Sequence, residues 1–375
     1  MLDPSANTNV SQAPATAPNV LMMAAGTGGH VFPALAVSEE LAKRGAVIHW
    51  LGTPSGMENA LVAPTGYTFH AIAMQGLRGK GVGRLLKMPA TLLSATMAAV
   101  KIIRSNQIDI VVGFGGYVTA PGGIAARMTG TPLIIHEQNA IAGMSNRYLA
   151  KISTKVLQAF DNTFANGQVG NKLATVGNPV RNTITGVAVP STRYDVDDKS
   201  PLRLLVVGGS LGAQVLNDNV PKALALMENS FEVRHQCGRN NEVATKAAYA
   251  NEDLSIHQFA VQPFIDDMAA AYDWADVIVC RAGALTVTEI QNVGIAAIFV
   301  PLPHAVDDHQ TANARTLTDH GAAILLPQNE LTPERLSCEL SQLNRRTCLA
   351  MAEKGHALAN RGANKQVADI VWQAL

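Results

Sequence analysis

Apolar positions along the chain gather in short unbroken runs, and stretches with helical spacing follow most of them. The first run, Val20-Leu-Met-Met-Ala24, leads through a glycine-rich turn to a helix expected over Pro33–Lys43. Further strands are predicted at Ala46–Leu51, Thr68–Ala73, Ile108–Val112, Pro132–His136 and Lys155–Gln158. The pattern breaks over Val187–Ser200, where Pro190, Ser191, Thr192 and the run Tyr194-Asp-Val-Asp-Asp-Lys199 read as a linker. It then restarts with a strand at Leu202–Val207, a turn at Gly208–Gly212 and a helix at Ala213–Met227. Strands are predicted next at Phe231–His235, Ile256–Ala260, Asp276–Val279, Ala296–Val300 and Ala322–Leu326. Unbroken apolar strands separated by helices belong to parallel sheets covered on both faces. The two halves also share a detail, since Asp109-Ile-Val-Val-Gly-Phe-Gly-Gly116 and Asp276-Val-Ile-Val-Cys-Arg-Ala-Gly283 both run acid, apolar strand, glycine turn, helix. The expected fold is therefore α/β, with two doubly wound Rossmann-like domains facing each other across a cleft. Residues 1–18 form a tail, 19–186 an N-terminal domain, 187–200 the linker and 201–345 a C-terminal domain.

Composition narrows the class. At 375 residues the chain exceeds one ordinary core. Apolar residues make up 47%, charged residues 15%, and glycine occurs 31 times, which suits buried strands and tight strand-to-helix turns. Lys+Arg and Asp+Glu balance at 29 each, so the global basic excess of a nucleic-acid binder is missing. Cys237, Cys280, Cys338 and Cys348 lie far apart with no C-x-x-C and read as buried thiols of a reducing compartment. The first eighteen residues lack Lys, Arg and an apolar core, so a disordered tail is expected there and not a signal peptide. The apolar run between Lys87 and Lys101 is thirteen residues long and broken by Pro89, short of the roughly 20 a membrane span needs.

In open parallel sheets ligands bind beyond the carboxyl ends of the strands. Glycines there let backbone N–H groups approach an anion at a helix start. Four such loops occur: Gly26-Thr-Gly-Gly-His30, Gly113-Phe-Gly-Gly-Tyr117, Gly208-Gly-Ser-Leu-Gly212 and Arg281-Ala-Gly-Ala284. Two per domain suggest a cleft that holds a diphosphate on one side and a second ligand on the other. A dinucleotide-binding dehydrogenase fits poorly. Val31 stands at its third glycine position, and Ile48-His-Trp-Leu-Gly52 offers no acidic ribose partner. The absence of any G-K-[ST] excludes a P-loop.

Among single residues, His30 sits at a helix start beside the cleft and reads equally as a proton acceptor or as a helix-capping side chain. His136-Glu-Gln-Asn139 places polar residues at the end of a very apolar strand, which favours function over packing. Glu289 reads either as a solvated helix carboxylate or, with Thr286 and Thr288, as the holder of a ribose diol. Asp307, Asp308 and His309 lack metal-ligand spacing and read as a capped helix start. Asp195-Val-Asp197 lies in the linker and follows no strand, so no metal is expected. The segment Arg78–Arg104 mixes Arg78, Lys80, Arg84, Lys87, Lys101 and Arg104 with Leu85, Leu86, Met88, Leu92, Leu93 and Met97. By pattern alone it reads first as a domain helix with a solvated basic face, and second as a surface for an anionic membrane.

Taken in order, several stretches resemble the MurG family of bacterial UDP-N-acetylglucosamine transferases. They are Gly26-Thr-Gly-Gly-His-Val-Phe-Pro33, Gly115-Gly-Tyr-Val118, His136-Glu-Gln-Asn139, Val176-Gly-Asn-Pro-Val-Arg181, Val206-Val-Gly-Gly-Ser210, Phe264-Ile-Asp-Asp-Met268, Ala284-Leu-Thr-Val-Thr-Glu289 and Gln310. The resemblance implies a GT-B architecture and inverting transfer of N-acetylglucosamine from its UDP donor to the C4 hydroxyl of the muramoyl sugar of lipid I (undecaprenyl-diphosphate-linked muramoyl pentapeptide). The product would be lipid II of peptidoglycan synthesis. It implies that Ser210 contacts the donor diphosphate, Ile265 the uracil, Glu289 the ribose and Gln310 the N-acetylglucosamine. Ala284, Leu285, Thr286, Val287 and Thr288 would add contacts at the same helix start. Thr27, Gly28, Gly29, Asn139 and Arg181 would line the sugar and acceptor side, with His30 the first and Glu137 the second candidate base. No cofactor or metal is implied. The family likeness places the protein peripherally on the cytoplasmic face of the inner membrane, which raises the membrane reading of Arg78–Arg104. It also sends a final helix, about 360–375, back to the N-terminal domain.

Overall fold

The structure, a computed structural model, describes residues 17–74, 82–164, 169–303 and 308–375, with the side chains of 82–87 outside that description. Thirteen strands form two wholly parallel sheets among the described residues. The first contains β1 (Asn19–Ala24), β2 (Val47–Gly52), β3 (Thr68–Ala71), β4 (Ile110–Gly115), β5 (Leu133–Glu137), β6 (Lys155–Gln158) and β7 (Leu173–Thr175), in the order β3-β2-β1-β4-β5-β6-β7. The second contains β8 (Leu202–Val207), β9 (Phe231–Gln236), β10 (Gln258–Gln262), β11 (Val277–Cys280), β12 (Ala296–Phe299) and β13 (Ile324–Leu325), in the order β10-β9-β8-β11-β12-β13. Each sheet reverses its winding beside its first strand, which opens a crevice at the carboxyl ends there.

Helices cover both faces. In the N-terminal half they are α1 (Gly28–Lys43), α2 (Met57–Val62), α3 (Val82–Ser105), α4 (Thr119–Thr129) and α5 (Met144–Leu149). The connection carries α6 (Asn182–Thr185) and α7 (Pro190–Arg193). The second half adds α8 (Gln214–Ala225), α9 (Glu242–Ala250), α10 (Met268–Trp274), α11 (Ala284–Val293), α12 (His309–Thr318), α13 (Pro333–Ser341), α14 (Arg345–Ala357) and α15 (Ala363–Gln373). One face of the first sheet buries Val31, Val37 and Leu41 of α1 together with Val367, Ala368 and Val371 of α15. The other face packs Ala99 and Ile103 of α3, Ala125 of α4 and Leu149 of α5. The second sheet is covered by α8, α13 and α14 on one side and by α10, α11 and α12 on the other, where Val180 and Ile184 join the same core.

The acid-strand-glycine echo has a geometric basis. Asp109 accepts the Asn19 N–H at 2.8 Å, and its own N–H donates to the Asn19 carbonyl. Asp276 does the same with Arg203, at 2.9 Å, and adds a salt bridge to the Arg203 guanidinium. In both sheets an acid at the foot of the central strand ties it to its neighbour.

Of the four thiols read as buried, Cys338 is exposed, because α13 turns Leu336 and Leu340 to the core and Cys338 away from it. Two further differences from the sequence reading have physical causes. The first helix begins at Gly28 and not at Pro33, because Gly28 and Gly29 enter the helical turn freely. Pro33 removes only the bond to the Gly29 carbonyl. Strand β7 escaped notice because three residues, two half-buried and one exposed, carry no periodic signal. The connection is pinned to the second half. Arg193 donates to the Tyr272 and Val293 carbonyls, and the buried Arg345 to those of Ser200 and Pro201.

Candidate active site

The four glycine loops lie at the carboxyl ends of β1, β4, β8 and β11 and open α1, α4, α8 and α11. None of these helices has a side chain capping its first turn, so the first-turn N–H groups that the backbone does not itself bond, as it bonds those of His30, Thr119 and Leu216, can face an anion. Close approach dictates glycine at two points. Gly116 (φ +87°) lies so near Ala25 that a Cβ would overlap its carbonyl oxygen, and Gly212 (φ +79°) stands in the same relation to Cys237. Neighbouring loops are thereby brought into backbone contact within each half.

On the N-terminal side, the His30 ring lies against the Cα of Gly115 in the first turn of α1. Its Nδ1 is 3.3 Å from the Ala25 carbonyl oxygen and 3.3 Å from Thr27 Oγ1. A carbonyl can only accept, so the tautomer that bonds Ala25 carries its hydrogen on Nδ1 and presents a lone pair at Nε2. Burial lowers the His30 pKa below 6.5, and the nearby Glu137 carboxylate partly opposes that. Beneath the loop lies a residue the sequence reading missed. Glu58 is fully buried and accepts from Gly26 N–H at 3.2 Å and from Thr53 N–H and Oγ1 at 2.9 and 2.7 Å. Its only sequence trace is a helix-start carboxylate, indistinguishable from a solvated one.

The polar strand end does two different things. His136 is buried, stacks on Phe114, bonds the Gly177 carbonyl through Nε2 at 2.9 Å, and has its pKa lowered by burial to about 4. Glu137 accepts four hydrogen bonds, from the Asn139 N–H and Nδ2 on one oxygen and from Gly143 N–H and Asn146 Nδ2 on the other. Those four bonds occupy its lone-pair directions and leave none for a substrate proton. Asn139 turns toward the second half, where Asn313 of α12 donates to its Oδ1 at 3.3 Å and accepts from Ala140 N–H at 2.8 Å. Asn313 went unremarked in the sequence, although it lies three residues beyond Gln310 on one helix.

On the C-terminal side, the Gln236 side chain links Gly209 to Pro263, holding the loop of exposed Ser210 beside the loop of Phe264 and Ile265. Ile265 is buried against the core. In α11, Ala284, Val287, Thr288 and Glu289 are buried while Leu285 and Thr286 are half-buried at the mouth. Glu289 is 5% exposed and receives the Tyr272 hydroxyl at 2.9 Å and Arg181 Nη2 at 3.2 Å. The Arg181 guanidinium also lies over the Phe32 ring of α1 at 4.5 Å, so it bridges the two halves. Asn178 forms a second bridge, donating to the Gln138 carbonyl and to Thr288 Oγ1. Gln310 opens α12 and its Oε1 accepts from Leu302 N–H at 2.9 Å. His304–Asp307 lie outside the described residues. No cluster of three or more potential metal ligands occurs among the described residues.

The structure thus gathers Thr27, Gly28, Gly29, His30, Glu137 and Asn139 at one rim. Ser210, Ile265, Ala284–Glu289 and Gln310 belong to the loops and helix starts of the second half, with Arg181 between. The sequence model of the glycosyltransferase family 28 N-terminal domain matches residues 20–158, and that of the family 28 C-terminal domain matches residues 203–371. A curated relative from Psychrobacter arcticus is 81% identical over 358 residues, 96% of this chain and 99% of the relative. Its name is UDP-N-acetylglucosamine–N-acetylmuramyl-(pentapeptide) pyrophosphoryl-undecaprenol N-acetylglucosamine transferase. A relative of the same name from Acinetobacter baylyi is 49% identical over 94% of this chain and 96% of its own length. The crystal structure of Acinetobacter baumannii MurG superposes with a TM-score of 0.81 at 44% identity, covering 95% of this chain and 99% of that one. A calicheamicin glycosyltransferase, 16% identical with a TM-score of 0.67 over 96% of this chain and 98% of that one, shares the fold.

Proposed function

Because the chain belongs to glycosyltransferase family 28, we propose that it transfers N-acetylglucosamine from UDP-N-acetylglucosamine to the C4 hydroxyl of the muramoyl sugar of lipid I, giving lipid II for peptidoglycan synthesis. The observation that carries this reading is identity of 81% along 96% of the chain with a transferase of that name.

The site offers the means. The acceptor hydroxyl is a poor nucleophile until a base takes its proton, and His30 Nε2 is the group with a lone pair to offer. Glu137 serves through its field and by holding the 137–146 loop. As the glycosidic bond breaks, charge gathers on the departing UDP. The uncapped N–H groups of α8 and α11, beside Ser210 and Ala284 through Thr288, stabilise that charge without a metal. Ile265 packs the uracil, Glu289 holds the ribose and Gln310 the transferred sugar. Thr27, Gly28, Gly29, Asn139 and Arg181 line the acceptor side. Direct displacement from the face opposite UDP inverts the anomeric centre. The domain division carries over with residues 19–186 as the acceptor and membrane domain and 201–345 as the donor domain.

The enzyme works peripherally at the cytoplasmic face of the inner membrane, where its lipid acceptor is held. No helix among the described residues is long and apolar enough to cross a bilayer. Arg78 and Lys80 lie outside the described residues, as do the side chains of Arg84, Leu85, Leu86 and Lys87. What supports the docking is the described part of α3 and its neighbours. Leu93 (63% exposed) and Met97 (51%), Met128 on α4, and Met144 and Tyr148 on α5 stand out on three helices covering one sheet face. Lys101, Arg104, Arg127 and Lys151 are exposed on or beside the same helices. Apolar side chains among cations suit an anionic interface.

Incubation with labelled UDP-N-acetylglucosamine and a lipid I analogue tests the reading. Label should move to the lipid in step with UDP release. Sugar conversion or UDP release without labelled lipid would overturn it.

A further inference from the structure

Glu289 is a buried carboxylate held by two donors, one on each oxygen. Tyr272 Oη donates to Oε2 at 2.9 Å and Arg181 Nη2 to Oε1 at 3.2 Å. An ionised carboxylate has about four lone-pair directions, two per oxygen. One remains on each, and a cis-diol presents two hydroxyls that can donate one to each oxygen. Tyr272 is itself immobilised, with 1% of its surface exposed, its ring in the core beside Ile265 and Ile290, and its carbonyl accepting from Arg193 at 3.1 Å. Its helix α10 begins directly after the Phe264-Ile265 loop, and Asp267 caps it through the Ala270 N–H at 2.9 Å. One short helix therefore joins the loop that receives the base to the carboxylate that receives the sugar.

We propose that Tyr272 is a positioning residue for donor recognition, aiming the Glu289 carboxylate at the ribose diol and so setting the preference for ribonucleotide over 2′-deoxyribonucleotide diphosphates. This rests on Glu289 as the ribose partner. Without the hydroxyl, Oε2 loses its fixed donor and the carboxylate can rotate about its last torsion. Burial pushes the Glu289 carboxyl up, and Arg181 and Tyr272 together counter it. Losing one of them also weakens the ionised form that accepts from the diol.

Calorimetric titration of the full chain with UDP and with 2′-deoxyuridine diphosphate tests the proposal. A hydroxyl bonded to a charged group makes UDP bind about 10-fold or more tighter than the deoxy analogue in the parent protein. Tyr272→Phe, which keeps the ring in the core, should shrink that ratio several-fold, weaken UDP, leave the deoxy analogue within about twofold, and leave the acceptor KM unchanged. In a Glu289→Ala background the same change should no longer alter the ratio. A ratio preserved in Tyr272→Phe, whatever happens to absolute affinity, would make the tyrosine a core residue only and overturn the proposal. A ratio preserved in Glu289→Ala would instead remove the ribose assignment beneath it.

Discussion

Replacing Glu137 by Gln separates a catalytic base from an organising carboxylate. The carboxylate accepts from Asn139 N–H and Nδ2 at 3.0 and 3.1 Å, and from Gly143 N–H and Asn146 Nδ2 at 3.0 and 2.8 Å. A glutamine keeps one accepting oxygen, so its NH2 must face two donors. Two hydrogen bonds to a charged group are lost, each worth about 1.5–3 kcal/mol, so the variant loses roughly 3 kcal/mol or more. For a domain of this size that lowers the melting temperature by roughly 6–12 °C, readable by calorimetry. The pH profile gives the second readout. His30 accepts a proton only when neutral, so kcat/KM falls as pH drops through its pKa, which burial places below 6.5. The Glu137 charge raises that pKa, and removing it should shift the acid limb further down while leaving the limb present. His30→Asn, at a half-buried position, should keep most stability and lose about 10²–10⁴ in rate. If Glu137→Gln melts like the parent and loses its acid limb, Glu137 is the base and the assignment to His30 is wrong.

Gly56→Ala attacks the Gly26 loop from outside, since a Cβ there would overlap both Glu58 carboxylate oxygens and push them off Gly26 and Thr53. We expect the acceptor KM to rise about 10-fold with UDP affinity unchanged, and equal effects on both substrates would refute the coupling. Burial holds His136 near pKa 4 and His235 near pKa 3, against 6.5 unfolded, so the unfolded chain binds more protons below pH 6.5. Stability is therefore lost as pH falls, by about 1.5 kcal/mol from each histidine between pH 6.5 and 5, and urea midpoints that stay level over that range would contradict it. Leu93→Glu with Met97→Glu should abolish co-sedimentation with anionic vesicles while a short-chain soluble acceptor still turns over. Parental binding should also weaken with salt, as screening shortens from about 10 Å at 0.1 M to 3 Å at 1 M. Undiminished sedimentation of the double variant would move the docking face elsewhere.

Most of the fold was legible because buried parallel strands leave an unmistakable mark. Val20–Ala24, Leu204–Val207 and Val277–Cys280 are apolar on both faces, and each ends in a glycine turn where a helix starts. The loops could be read for the same reason, since only glycine permits contacts such as Gly116 against Ala25. The candidate site was harder. Glu58, Tyr272 and Asn313 lie outside the glycine turns and strand ends, and a carboxylate in a first helical turn looks the same whether it faces water or a backbone N–H.

By itself, the order of apolar runs and glycine turns determined two doubly wound sheets and four anion-ready helix starts, because strand burial and turn geometry are local demands on residue type. Only the tertiary structure decided the partners across long separations: Tyr272 and Arg181 on Glu289, Glu58 under Gly26, Asn313 on Asn139 and Ala140. It also decided that four donors saturate Glu137 while the His30 ring meets the Ala25 carbonyl. A hydrogen bond between distant segments depends on where packing brings two backbones, and no pattern along the chain encodes that meeting.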